Sequence, residues 1–197
     1  MAIRFRMRYN RSAMNELYAF TVPVFTKSLG GVRRVLEKAK SHGLSDDALL
    51  NDRLAPDMFP FVKQVQIACD NAKGAAARLA GIEPPKMADD ETTVDALLAR
   101  IDATVAFLST LDAASYDGAA DRRITLAYFP GKYLTGYDYA REYALPNFFF
   151  HVAMAYALVR KNGVAIGKAD YLNGMPLRDE GHGGSRAQNH RSPENLR

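Results

Sequence analysis

Cysteine is nearly absent from this chain. Cys69 is the single one among 197 residues, so no internal disulfide can form and a reducing, cytoplasmic setting is expected. Histidine is scarce as well: of four, His182 and His190 lie in a polar C-terminal stretch where solvent is their expected partner. No apolar run approaches the ~20 residues a membrane helix needs, which excludes a membrane role. The N-terminus lacks the apolar core of a secretory leader. Also missing are a phosphate-binding loop, a dinucleotide glycine motif after a strand, a Gly-x-Ser-x-Gly elbow and a paired Cys-x-x-Cys. Nucleotide, serine-hydrolase and dithiol chemistries therefore have no recognisable foothold.

Excess charge of one sign is missing from the folded part too. The net charge is +4, but residues 1–13 supply +4 through Arg4, Arg6, Arg8 and Arg11, and residues 173–197 supply +1. Residues 14–172 therefore sum to −1. The basic character lives in the tails, which argues against a phosphate-gripping groove and so against a nucleic-acid partner. Residues 1–13 are expected to form a flexible basic arm, with Met14 as an alternative natural start. Residues 173–197, rich in Gly, Ser, Asn and charge, are expected to be a disordered polar tail.

What is present is helical periodicity. Tyr18, Val22, Phe25, Leu29, Val32, Leu36 and Ala39 repeat at spacings of four and three, predicting a helix over about 15–40 with Pro23 kinking it and Gly43 stopping it. Val62, Val65, Cys69, Ala72, Ala76 and Leu79 predict a second helix that starts at Pro56, Phe59 or only at Pro60 and ends at Gly81. Its alanines let another helix approach closely. A proline-rich crossover follows. Val94, Leu97, Ile101, Val105 and Leu108 predict a third helix over about 91–111, capped at Thr92 or nearby. Alternation at Ile124, Leu126 and Tyr128, then Pro130-Gly131, predicts a short β-hairpin over 123–136. A fourth helix, kinked or restarted at Pro146, is predicted over about 137–161. The glycines of "SLGG" (28–31) read as close helix packing rather than a phosphate cradle. Together these predict an all-α four-helix bundle with a hairpin insertion before the last helix.

Bundle cores are where such folds build sites, and one histidine falls there. His151 sits in "ALPNFFFHVAMAYALVRKNG" on a stripe with Phe148, Ala155 and Leu158, and Asn147 is its polar companion one turn earlier. A hydrogen-bonded core histidine and a ligand or acid–base group are the two readings. The helical metal device, His-x-x-x-His, is broken because Ala155 stands four residues on. Gln66 and Asp70, one turn apart on the second helix, are the candidate partners, or else a half-exposed polar flank. Asp57 is expected to stabilise a helix start, and Asp52 and Arg53 to pair with neighbours. Cys69, on an apolar stripe, is expected to be inert.

The segments "LLNDRLAPDMFPFVKQVQIACDNAKGAAARLAG" and "LPNFFFHVAMAYALVRKNGVAIGKADYL" resemble an uncharacterised family within the DinB-like superfamily of four-helix bundles, the DinB/YfiT-like metalloenzymes. The resemblance covers residues 14–172. It implies a divalent metal, zinc or nickel, held by one histidine on the second helix and two, spaced four apart, on the last. Thiol-dependent transfer or isomerisation and a homodimer are implied as well. His151 matches the first histidine of the last-helix pair, Ala155 replaces the second, and Gln66 is the guess for the second-helix position. With two of three ligands missing, no cofactor is expected. Two functions follow. One is a dimeric bundle that binds a small molecule or serves as a structural module. The other is a metal- or thiol-dependent transferase or isomerase with a degenerate site at His151.

Overall fold

The structure is a computed structural model that describes residues 15–180. Helix α1 (Glu16–His42) begins where the Asn15 side chain accepts the Tyr18 N–H, and ends at Gly43 with φ +87°. It continues through Pro23. After a short helix α2 (Asp46–Leu50), α3 spans Phe61–Ala80 and closes on Gly81 at φ +74°. Pro60 sets its start: standing just before the first turn, it lacks an N–H where no intrahelical donor is needed. Asp57 therefore lies outside the helix it was expected to serve. Helix α4 (Val94–Leu108) is capped by Thr93, whose hydroxyl accepts the Ala96 N–H.

Two single-turn 3-10 segments lead to β1 (Arg123–Ile124), which pairs antiparallel with β2 (Leu134–Thr135), Arg123 facing Thr135. The last long helix has three parts: α5 (Gly136–Asp138), a wide π-helical turn (Tyr139–Ala144) and α6 (Leu145–Lys161). Pro146 explains the wide turn. It cannot donate to a carbonyl one turn back, and its ring would clash there, so the helix loosens just before it. The short helix α7 (Lys168–Leu172) then lies back across α1. At Gly31 a Cβ would stand 2.7 Å from the Tyr171 carbonyl oxygen, so the glycines of the 28–31 stretch do serve close helix packing.

Pairwise contacts fix the topology. Tyr18 donates to the Leu111 carbonyl at one end while Lys40 meets Asp95 at the other, so α1 and α4 are antiparallel. His151 meets Gln64 and Arg78 meets Tyr139, so α3 and α6 are antiparallel. Helices α3 and α4 then run the same way, joined by the 81–93 crossover along the bundle. Helix α3 is the central element: Ala68, Cys69, Ala72, Ala75, Ala76, Ala77 and Leu79 are all buried. The core is apolar and continuous, with Phe25 edge-on to Phe148 at 4.7 Å between ring centroids. The basic arm at 1–13 and residues 181–197 of the polar tail lie outside the described residues. No helix among those described is long and apolar enough to cross a membrane.

Candidate functional site

Helix α6 places His151 between the buried Phe148 and Val152 and leaves the imidazole 7% exposed. Its Nδ1 lies 2.8 Å from Gln64 Oε1 on α3. The Gln64 amide nitrogen donates to the Phe59 carbonyl oxygen at 3.0 Å. With Oε1 as acceptor, Nδ1 carries the proton of the neutral ring and Nε2 keeps the lone pair. Burial pushes the His151 pKa below the ordinary 6.5, favouring that neutral form. Phe150 stands edge-on to the ring at 5.2 Å, and its own side chain is half exposed. Asn147 is half-buried one turn earlier, with no side-chain hydrogen bond among the described residues.

Gln66 and Asp70 do not join this site. Gln66 Nε2 donates to Glu91 Oε2 at 2.6 Å, and Asp70 Oδ1 receives Arg100 at 2.7 Å and Lys73 at 2.8 Å. The physical reason is helical geometry. Two residues on, the chain has rotated by about 200°, so Gln64 faces α6 while Gln66 faces α4 and the crossover. The second-helix partner of His151 is Gln64, where the sequence had suggested Gln66. Gln64 shares one face of α3 with Phe61 and Ala68 at three-and-four spacing, but that spacing alone does not say which helix the face meets.

The second cluster centres on Arg100, also missed in the sequence although it lies between Leu97 and Ile101 on the α4 seam. Arg100 is 4% exposed. Its guanidinium donates to the Ala88 carbonyl, Glu91, Asp70 and Asp89 at 2.7–3.0 Å. Burial pushes Glu91 up, but hydrogen bonds from Arg100 and Gln66 outweigh it and leave its carboxyl below the usual range. Lys63, ion-paired with Asp89, lowers that carboxyl too. The cluster clamps the crossover onto α3 and α4. Beside it, burial pushes the Cys69 thiol up to about 12, which leaves it protonated and unreactive at neutral pH. Asp52 is paired as well, with Lys161 and Asn162, and Arg53 donates to the Met58 carbonyl.

A divalent metal at His151 would need at least two more protein donors. The α3 side offers an amide already hydrogen-bonded to the ring. The position one turn after His151 offers the Ala155 methyl, and no group of three or more His, Cys, Asp or Glu suited to a metal occurs among the described residues. The donor set does not fit the three-histidine centre that the resemblance implied.

The chain is an up-down-down-up bundle with a hairpin ahead of its last helix, the architecture of the DinB-like class of helical bundles. Residues 17–172 match the family described as a domain of unknown function (DUF1993), and the chain belongs to that family. A crystal structure described as a DinB family member protein from Shewanella denitrificans is similar along the same fold. It shares 41% sequence identity, covering 87% of this chain and 100% of that one, with a TM-score of 0.83. No curated protein matches.

Proposed function

We propose that this protein is a small-molecule-binding bundle of the DinB-like class that works without the three-histidine metal centre. The observation that carries the reading is the Gln64–His151 hydrogen bond. It ties the remaining histidine to an amide, and Ala155 supplies no second ring. The polar groups left over on α6 are the His151 Nε2 lone pair and the Asn147 amide, with the half-exposed Phe150 beside them. They suit a small polar ligand that offers a hydrogen-bond donor and one apolar face. The degenerate-enzyme reading needed Gln66 or Asp70 opposite His151, and both are engaged by the Arg100 cluster. The same proposal takes a cytoplasmic homodimer as the working unit, the assembly implied by the family resemblance.

Metal analysis of the purified full-length chain beside His151→Ala tests it. The expected result is zinc and nickel far below one per chain in both proteins. Stoichiometric metal that disappears in His151→Ala would overturn the proposal. A monomer in sedimentation equilibrium would remove its dimeric part.

A further inference from the structure

Many cations among the described residues have no ion pair, and most of them, such as Lys27, Arg34, Arg123 and Lys132, are exposed, where water suffices. Arg78 and Arg122 are the two that are half-buried. Arg122 donates to the Leu79 and Asp117 carbonyls. Arg78 has one hydrogen bond among the described residues, from Nη1 to the Tyr139 hydroxyl at 3.4 Å. A charge held partly out of water with one neutral partner is costly. The end of α3 does not use that charge either. Arg78 stands in the last turn, but its side chain folds back along the helix: a Cβ on the buried Gly74 would stand 2.6 Å from Nη1 and 3.6 Å from Cζ. The guanidinium therefore lies a turn away from the terminal carbonyls that favour a cation.

The groove it enters, between α3 and the π-helical turn, is lined with donors. Residues three apart on a helix are neighbours, about 5–6 Å between Cβ atoms, which brings Asn71 beside Gly74. The Asn71 Oδ1 is buried without a partner, and Nδ2 is the outer atom of that amide, with no hydrogen bond among the described residues. Across the groove, the buried Tyr139 stacks on the half-buried Tyr143 with ring centroids 5.8 Å apart. Burial pushes both phenols up, and the Arg78 charge pulls each back, so both hydroxyls feel that cation. The carboxylates on the same elements are engaged elsewhere. Asp70 is held by Lys73 and Arg100, Asp138 accepts from Thr135 and lies beside Arg141, and Glu142 pairs with Arg141. Wide π turns recur at functional sites, and a guanidinium flanked by neutral donors matches the two oxygens of an oxyanion.

We propose that Arg78, Asn71 and Tyr143 form a binding site for a small oxyanion, a carboxylate or a phosphate, in the groove between α3 and the π-helical turn. The guanidinium takes two oxygens side by side, and the Asn71 amide and the Tyr143 hydroxyl donate from the flanks. Gly74 is ten residues beyond Gln64, about 15 Å along the helix, so the site does not rest on the reading of His151.

Nuclear magnetic resonance titration of the full-length protein with inorganic phosphate and, separately, with acetate tests it, at an ionic strength held constant with chloride. At least one of the two anions is expected to shift the Arg78 Nε–H and Asn71 side-chain amide signals saturably, and the tighter one identifies the oxyanion. Arg78→Gln should abolish the saturable shifts. Asn71→Ala and Tyr143→Phe should each weaken binding about tenfold, the factor that roughly 1.4 kcal/mol supplies, and they carry the test if Arg78→Gln does not fold. Arg123→Gln, which removes an exposed cation without an ion pair, and His151→Ala should bind as the wild type does. Shifts that grow without saturation for both anions would overturn the proposal. So would binding unchanged in Asn71→Ala and Tyr143→Phe, or binding weakened as much by Arg123→Gln as by Arg78→Gln.

Discussion

Helix α3 carries two polar centres on opposite flanks, and they are built differently. Toward α6, Gln64 and His151 form one neutral hydrogen bond with a second amide bond to the Phe59 carbonyl. Toward α4, Arg100 gathers Asp70, Asp89, Glu91 and the Ala88 carbonyl around one permanent charge. The neutral pair spans two helices and leaves one ring nitrogen available. The charged cluster spans two helices and a long connection and has no donor to spare beyond a buried, unpartnered Arg100 Nε. A neutral pair and a charged cluster that fastens a strap have grown from residues two positions apart. Burial is common to both. What differs is how many partners the connecting chain brings to each.

Removing the cation should give the largest effect that separates them. Arg100→Met leaves the buried Glu91 carboxylate without its counter-charge, a change that costs about 3–5 kcal/mol where buried pairs are broken on one side. Urea unfolding followed by circular dichroism measures it, and a loss under 1 kcal/mol would erase the contrast. On the other flank, Gln64→Leu orphans the Nδ1 proton of His151 and should cost about 1–3 kcal/mol. The double variant Gln64→Leu/His151→Leu removes both partners and should recover most of that, since an apolar pair leaves nothing unsatisfied. A double variant no more stable than Gln64→Leu alone would show that the pair is not the unit.

The smallest effect is in pH. His151 has a folded pKa below 6.5, so the unfolded chain binds its proton first. The stability tied to its neutral form is complete above about 6.5 and is lost as the pH falls below that value. Asp89 and Glu91 are also lowered, from 3.8 and 4.5, and their contribution holds until the pH drops below about 4.5. Melting curves between pH 7.5 and 5.5 should therefore fall more steeply in the wild type than in Gln64→Leu/His151→Leu. Arg100→Met should change the slope only in stronger acid. Identical slopes above pH 5 in all three proteins would contradict the assignment of His151 as neutral and buried.

The helices were legible because each has a long apolar stripe and a local stop. Gly43, Gly81 and Gly163 take positive φ where the chain turns out of its helices, and α4 is capped by a threonine, Thr93, as the expectation of a cap at Thr92 or nearby had it. The hairpin was legible from the alternation before Pro130-Gly131. The restart at Pro146 was legible too, though the wide turn from Tyr139 to Ala144 was not, because a proline announces a defect without saying how the preceding turn absorbs it. Helix α2 was missed; five residues carry too little periodicity to register.

The candidate site was half legible. His151 stood out as a polar group on an apolar stripe, and Ala155 told that a two-histidine device was broken. Its partner did not stand out, because three polar residues on α3, Gln64, Gln66 and Asp70, all border apolar positions. The sequence by itself determined which long segments are helices and which faces they bury. Those properties depend on spacing along a single helix, where geometry is fixed at 3.6 residues per turn. Only the tertiary structure decided that Gln64 belongs to His151 while Gln66 and Asp70 belong to Arg100. That choice depends on which helix packs against each flank of α3 and where the 81–93 crossover runs, and neither is encoded in any local spacing.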